Sequence, residues 1–349
     1  MQVFKKSLAA LTALTLSAAI LLSGCGGSSS SADPSSSPAE TTVEATVETT
    51  VQSTTESKPG KTADIDPLLW KVEGKNGSTM YLFGTIHVGD ERNKQVLDML
   101  KDEISASDAV AAEFDTVAYK EDTNQQLSAA MSMLLNDGTT IKDHMRADLY
   151  EKSVKYLTDA GLYMTAYDMY NMGFWNNMLS STAIRLSSYS TDYGMEGLVL
   201  NEAKSGNKEI LELESAQYQT ELISGFSDEL QNLLIEAFLD TADTYSDEIK
   251  KLHEAWLAGD EDKLNDEIEG ETEEDDDEEL TPEQQKLLDD YQKKMYDDRN
   301  DGMVKKAVEY LESGKNVFFT AGTAHFLGDK GIVKQLTDKG YKVERIHIS

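Results

Sequence analysis

Hydrophobic and polar positions sort this chain into short segments of distinct period. Residues 70–73 and 79–83 are β-favouring runs on either side of Lys75, Asn76, Gly77 and Ser78, and an Asn-Gly pair so placed predicts a hairpin. Residues 91–104 carry Val96, Leu97, Leu100 and Ile104 at helical spacing, while 108–114 is a compact apolar run that reads as a buried strand. From 124 to about 185 the pattern is helical and rich in Met and Tyr, including Tyr163, Met164, Tyr167, Tyr170, Phe174 and Trp175. Such a stripe reads as core packing, with a soft ligand-facing wall as the alternative. Further on, 195–203 reads as helix, 208–213 as strand, 217–258 as two or three helices and 282–313 as a helical block. Strand 316–320, helix 331–339 and strand 342–348 complete the chain. Strand–helix–strand order at both ends of a helical block predicts an α/β domain, with a central mixed or parallel sheet and a large helical insertion or cap.

The first segment has a different character. Lys5 and Lys6 precede an apolar stretch from 7 to 22 that is short for a membrane span and ends in small residues. Leu22, Ser23, Gly24 and Cys25 then resemble a bacterial lipobox, and Cys25 is the only cysteine of the chain. The expected organisation is a lipoprotein signal peptide over 1–24 and acylation of Cys25. A Ser/Thr-rich tether over 25–62, too poor in large apolar residues to offset its ordering entropy, would lead to a folded body over 63–349. Such a protein faces outside the cytoplasm and meets the membrane through its lipid anchor only.

Charge and cysteine content narrow the chemistry. Asp and Glu number 64 against 32 Lys and Arg, a formal net charge of -32, which disfavours nucleic acid and anionic headgroups as partners. A single cysteine excludes both a disulfide framework and a Cys-based zinc site within one chain. Any metal must therefore be held by carboxylates and by the 5 His. The acidic insertion at 260–281, with 11 Asp or Glu among residues 266–279, lacks the spacing of a calcium loop and is expected to be a solvated, dispensable surface loop.

Two segments repeat one local pattern. Tyr81, Leu82 and Phe83 lead into Gly84, Thr85, Ile86, His87 and then Gly89-Asp90. Phe319, Thr320 and Ala321 lead into Gly322, Thr323, Ala324, His325 and then Gly328-Asp329. Each is a strand ending in Gly-Thr-x-His, at the edge where open α/β sheets place their ligands. Gly84 and Gly322 allow a sharp turn and close approach, and the two Asp residues are placed to cap the following helices. Two neighbouring parallel strands would bring His87 and His325 together as ligands for a divalent first-row metal. Glu113, a carboxylate in an otherwise apolar strand, is the best third ligand, because burying it requires a partner. Asp115 is the reserve, and Glu212 or Glu214 is either a further carboxylate of the site or a helix cap. His144, His253 and His347 lack this setting and read as surface or structural.

The order Leu-Phe-Gly-Thr-Ile-His, Glu-Phe-Asp, Leu-Glu-Leu-Glu-Ser-x-x-x-Gln, Asp-Arg-Asn and Gly-Thr-Ala-His resembles the TraB/GumN family. That family includes the animal Tiki proteins and is distantly similar in fold to the erythromycin esterase and ChaN-like proteins. The resemblance spans about 70–346 and implies a metal-dependent hydrolase, in Tiki proteins a manganese or cobalt metalloprotease acting on secreted polypeptides. Through it, His87 and His325 match the two Gly-x-x-His histidines and Glu113 the family glutamate. Glu214, Arg299 and Asn300 match further motif positions. The expectation is then a metallopeptidase using a divalent metal (Mn, Co or Zn), with a peptide or protein substrate and with Glu113, Arg299 and Glu214 as candidate catalytic residues. Arg299 would hold a substrate carboxylate or the oxyanion, with an ion pair to the local Asp residues as its alternative role. The motif H-E-x-x-H is absent, which argues against a thermolysin-like site. The alternative function is a non-enzymatic lipoprotein that binds haem, a metal complex or a peptide.

Overall fold

The computed structural model describes residues 65–269 and 280–348. The expected signal peptide over 1–24, Cys25, the whole of the expected tether over 25–62 and residues 270–279 of the acidic segment lie outside them. Six strands form one mixed sheet: β1 (Leu69–Glu73), β2 (Thr79–Thr85), β3 (Ala109–Ala112), β4 (Glu209–Glu212), β5 (Val317–Gly322) and β6 (Lys342–Ile346), in the order β4-β3-β5-β2-β1-β6. β4, β3, β5 and β2 run parallel to one another, whereas β1 is antiparallel to both β2 and β6. The hairpin expected at Asn76-Gly77 joins β1 to β2, with Gly77 at φ 88°, a conformation glycine takes without strain. Central strands β3 and β5 are buried along their whole length, as strands covered on both faces must be, while β6 exposes Lys342 and Glu344 at the sheet edge.

Helices cover the sheet and build a cap between β3 and β5. Besides the single turn Ile141–His144, they are α1 (Arg92–Ala106), α2 (Thr116–Glu121), α3 (Thr123–Ser132), α4 (Ala147–Asp159), α5 (Met172–Leu186) and α6 (Met195–Ser205). After β4 come α7 (Ala216–Ser224), α8 (Asp228–Thr241), α9 (Tyr245–Ala258), α10 (Glu261–Glu269), α11 (Pro282–Gln292) and α12 (Asp298–Ser313), and α13 (Ile332–Asp338) precedes β6. The Met/Tyr stripe is core packing only in part: Trp175 is fully buried and Phe174 packs between the half-buried Tyr167 and Tyr170, whereas Met164 and Met169 are exposed. Among the described residues no helix is long and apolar enough to cross a membrane.

The acidic segment departs from the expected loop. Residues Glu261–Glu269 are helical, and Leu264 is fully buried. One leucine set among charged neighbours is enough to seat a helix turn on a hydrophobic surface, so the first half of the segment belongs to the fold.

His253 sits on α9 with no exposure, stacked on Trp256 and against Tyr189. Its Nε2 lies 2.7 Å from Asn93 Oδ1, and Arg92 Nη2 stands 3.2 Å from its Nδ1. Burial, opposed by Asp90 and reinforced by Arg92, lowers its pKa to about 4. The unfolded chain therefore takes up this proton first, so stability held at neutral pH is lost as pH falls from about 6.5 toward 4. Between those limits the native protein is expected to lose about 3 kcal/mol more than a His253→Asn variant, since other titrating groups are common to both. Denaturant melts of the two proteins at pH 7 and pH 4 check this; parallel losses would refute it.

Candidate active site

The pairing of β2 with β5 decides where the two repeated loops lie. Thr85 pairs with Gly322 in parallel register, so both Gly-Thr-x-His loops leave the sheet at one edge. The loops approach closely: a Cβ on Gly84 would stand 2.8 Å from Thr323 Oγ1 and 3.2 Å from Thr323 Cα, which only glycine permits. Thr323 Oγ1 donates to Thr85 O at 2.9 Å, and Trp256 Nε1 of α9 donates to Gly84 O at 2.8 Å. The His87 loop is pinned further by the start of α6, where Met195 N donates to Ile86 O at 2.9 Å.

At Gly322 the missing side chain leaves a small cradle. A Cβ there would stand 3.5 Å from Glu113 Oε1, 3.5 Å from His87 Nε2 and 3.8 Å from His325 Cδ2. The two histidines and Glu113 thus face one point, and all three side chains are buried. Asn300 Nδ2 donates to Lys330 O at 3.0 Å, which turns its Oδ1 toward His325 Nδ1 at 2.6 Å. An acceptor in that place makes Nδ1 the protonated nitrogen and leaves the lone pair on Nε2, the arrangement that metal-ligating histidines share. Burial, followed by the charge of Arg299, lowers the His325 pKa to about 3, so the imidazole is neutral at physiological pH.

Glu113 follows the end of β3 and is satisfied at both oxygens. Oε1 accepts from Gly322 N at 2.8 Å, while Oε2 accepts from Arg299 Nη2 at 2.7 Å and Gln219 Nε2 at 2.8 Å. Arg299 also donates to Glu214, from Nε at 2.9 Å and from Nη2 at 2.8 Å, and Gln219 Nε2 bridges to Glu214 at 3.0 Å. Parallel pairing of β3 with β4 sets the two carboxylates side by side, with Glu214 N donating to Glu113 O at 2.7 Å. A π-helical turn, Lys293–Asp297, stands just before Arg299, whose Nη1 donates to Met295 O at 3.1 Å. Burial alone would push Glu113 up, but Arg299, then the histidines and the Gly322 N–H, outweigh it and hold the carboxyl far below the usual range. Burial would likewise favour loss of the Arg299 charge, and Glu113 with Glu214 reverses that, so the guanidinium stays charged. Arg299 is therefore a buried ion-pair centre, paired with these two glutamates rather than with its neighbouring Asp residues.

Other candidates stand apart. Asp115 caps α2 through Ala118 N at 2.9 Å and pairs with Lys204 at 2.7 Å, and Glu212 accepts from Asp115 N at 2.9 Å. His144 bridges Thr139 and Asp228, and His347 meets Asp66, so both are structural. Three buried groups at the site escaped the sequence reading. Gln219 lay in a motif without an assigned role. Tyr296 has its ring 5.7 Å from that of His325. Glu196, whose Oε1 accepts from Glu113 N at 3.2 Å, is pushed well above the usual carboxylate range by burial and then by the Glu113 charge. An acid in the first turn of a helix is so ordinary that its position gave no signal.

Among the described residues no three His, Cys, Asp or Glu side chains stand close enough to hold a metal as placed. The donor set nevertheless suits a divalent cation: two imidazole nitrogens and a carboxylate oxygen around the Gly322 cradle, with one histidine oriented by an amide. A sequence model of the TraB/PrgY/gumN family matches residues 68–345. No curated protein and no solved structure matches the chain.

Proposed function

The chain belongs to the TraB/PrgY/gumN family, and on that premise we propose that it is a metal-dependent hydrolase acting on a peptide or protein. The observation that carries this reading is the cradle at Gly322, where Glu113 Oε1, His87 Nε2 and the His325 ring meet. His87, His325 and Glu113 would hold a divalent ion (Mn, Co or Zn), which supplies polarisation of a carbonyl and acidification of a bound water. Asn300 orients His325, and Glu113, held ionised by Arg299, offers a negative oxygen at the cradle. Glu214 shares the Arg299 charge and keeps the guanidinium plane fixed. Arg299 directs Nε and Nη2 at the two carboxylates and Nη1 at Met295 O, so it acts on Glu113 and positions it. Lipid attachment at Cys25 would place this domain at the membrane surface outside the cytoplasm, as the Leu22–Cys25 sequence suggests.

Gly322→Ala tests the proposal without removing a donor. Its backbone, φ -53° and ψ 137°, accepts alanine, and the new methyl meets its neighbours at ordinary contact distance. Protein purified without chelators is expected to carry about one divalent metal per chain and to cleave members of a peptide library. The alanine variant should fold, yet lose both metal and cleavage because the methyl fills the cradle. Bound metal without any cleavage would favour the binding-lipoprotein reading, and metal retained by a folded Gly322→Ala protein would remove the cradle as the site.

A further inference from the structure

Against the His87 loop lies a relay of hydrogen bonds that the metal reading does not use. Arg92 of α1 is held by Asp90 at 2.7 Å and by Glu254 of α9 at 2.7 Å. Its Nη2 stands 3.2 Å from His253 Nδ1. A guanidinium only donates, so Nδ1 accepts and Nε2 carries the proton. His253 Nε2 then donates to Asn93 Oδ1 at 2.7 Å, and Asn93 Nδ2 donates to Tyr193 O at 2.8 Å. Asn93 and His253 have no exposure. Both ends of the relay close on the segment that carries His87. Asp90 lies three residues beyond His87 at one end. At the other, Tyr193 leads into Gly194, where a Cβ would stand 2.6 Å from His87 O, and into Met195, whose N donates to Ile86 O at 2.9 Å. Gly89 and Ser190 exchange two backbone bonds, at 3.1 and 3.0 Å. Asn93 also lies directly on the loop: a Cβ on Gly89 would collide with its amide, which its two hydrogen bonds hold in place.

We propose that His253 and Asn93 are positioning residues that clamp the His87 loop, so that its imidazole stays turned toward Glu113 and the Gly322 cradle. The inference rests on the metal reading of that site. Both residues act through the backbone on either side of His87. A buried relay in which every nitrogen and oxygen has its partner fixes one arrangement, whereas apolar packing tolerates several. Without the His253 donor, Asn93 Oδ1 is left buried and unpaired, which favours a turn of the amide and release of Tyr193 O. The His87 loop then has to be ordered when metal binds, and that ordering is taken from the affinity.

Cobalt(II) titration of the full chain, first stripped of metal, tests the clamp through the visible absorption of the bound ion, with melting temperature recorded beside it. His253→Phe keeps a ring against Trp256 and Tyr189 but removes the donor, and Asn93→Ala removes the amide. Each folded variant is expected to bind cobalt about tenfold more weakly, the low end for groups that orient metal ligands. The double variant should be no weaker than the weaker single one, because both break the same relay. His253→Gln, which returns an N–H donor near the Nε2 position, should recover binding to within about threefold of native. Unchanged cobalt affinity in folded variants of lowered melting temperature overturns the inference and leaves a structural role alone. So do losses that add in the double variant. Asn93→Ala keeps the question decidable if His253→Phe fails to fold. Native protein that takes up no cobalt overturns the metal reading and this inference with it, whereas a failure confined to the variants overturns the clamp alone.

Discussion

Arg299→Met is expected to lower stability by about 3–5 kcal/mol, the usual penalty for stripping a buried ion pair of one partner. For a domain of this size that is a fall in melting temperature on the order of 10 °C. The reason is local: Glu113 and Glu214 are buried, and both direct their oxygens at one guanidinium. The pH dependence should change sign as well. In the native protein Glu113 is held below its ordinary value, so its contribution is present above about pH 4.5 and is lost as acid protonates it. Without Arg299, burial is left as the main influence on Glu113 and raises it, so the variant should gain stability as pH falls from neutral toward about 4.5, with no further gain below that. Thermal melts at several pH values read both effects. A loss under about 1 kcal/mol would mean that Arg299 behaves as a solvent-exposed pair, contrary to its burial.

Glu113→Gln is expected to reduce turnover by about a hundredfold to ten-thousandfold per folded molecule, the range associated with a positioned catalytic carboxylate. The substitution keeps the volume but is not silent. Glu113 accepts at both oxygens, from Gly322 N on one side and from Arg299 and Gln219 on the other. An amide has one acceptor only, so its NH₂ must face a donor whichever way it turns, which destabilises by about 1–3 kcal/mol. Activity must therefore be scaled to the folded fraction, measured by circular dichroism on the same sample. Metal should be partly retained through His87 and His325. Unchanged turnover per folded molecule would remove Glu113 from the chemistry.

The hairpin at Asn76-Gly77, the buried strand before Glu113 and the α/β class were legible because each rests on local pattern. A turn residue, an unbroken apolar run and a change of period suffice for them. The repeated Gly-Thr-x-His loops were legible for a similar reason, since a short-range motif repeats in sequence whatever the fold does with it. Glu113 was found because a carboxylate in an apolar run needs a partner, yet the partner itself could not be read. Arg299 is 186 residues away along the chain, and the sequence offered nearby Asp residues as equally good partners. The helix at Glu261–Glu269 was missed because composition spoke of charge, while the buried Leu264 seats it on the fold.

What the sequence by itself determined was which residues stand out as candidates: two histidines after strand-ending glycines, and a glutamate too costly to bury alone. Only the tertiary structure decided how they meet. The parallel pairing of β2 with β5 put both loops at one edge, and that of β3 with β4 set Glu214 beside Glu113. The start of α6 then carried Glu196 to the Glu113 backbone. The physical reason is that hydrophobic period and turn chemistry act over a few residues, whereas strand order and ion-pair choice are fixed by the burial of the whole sheet.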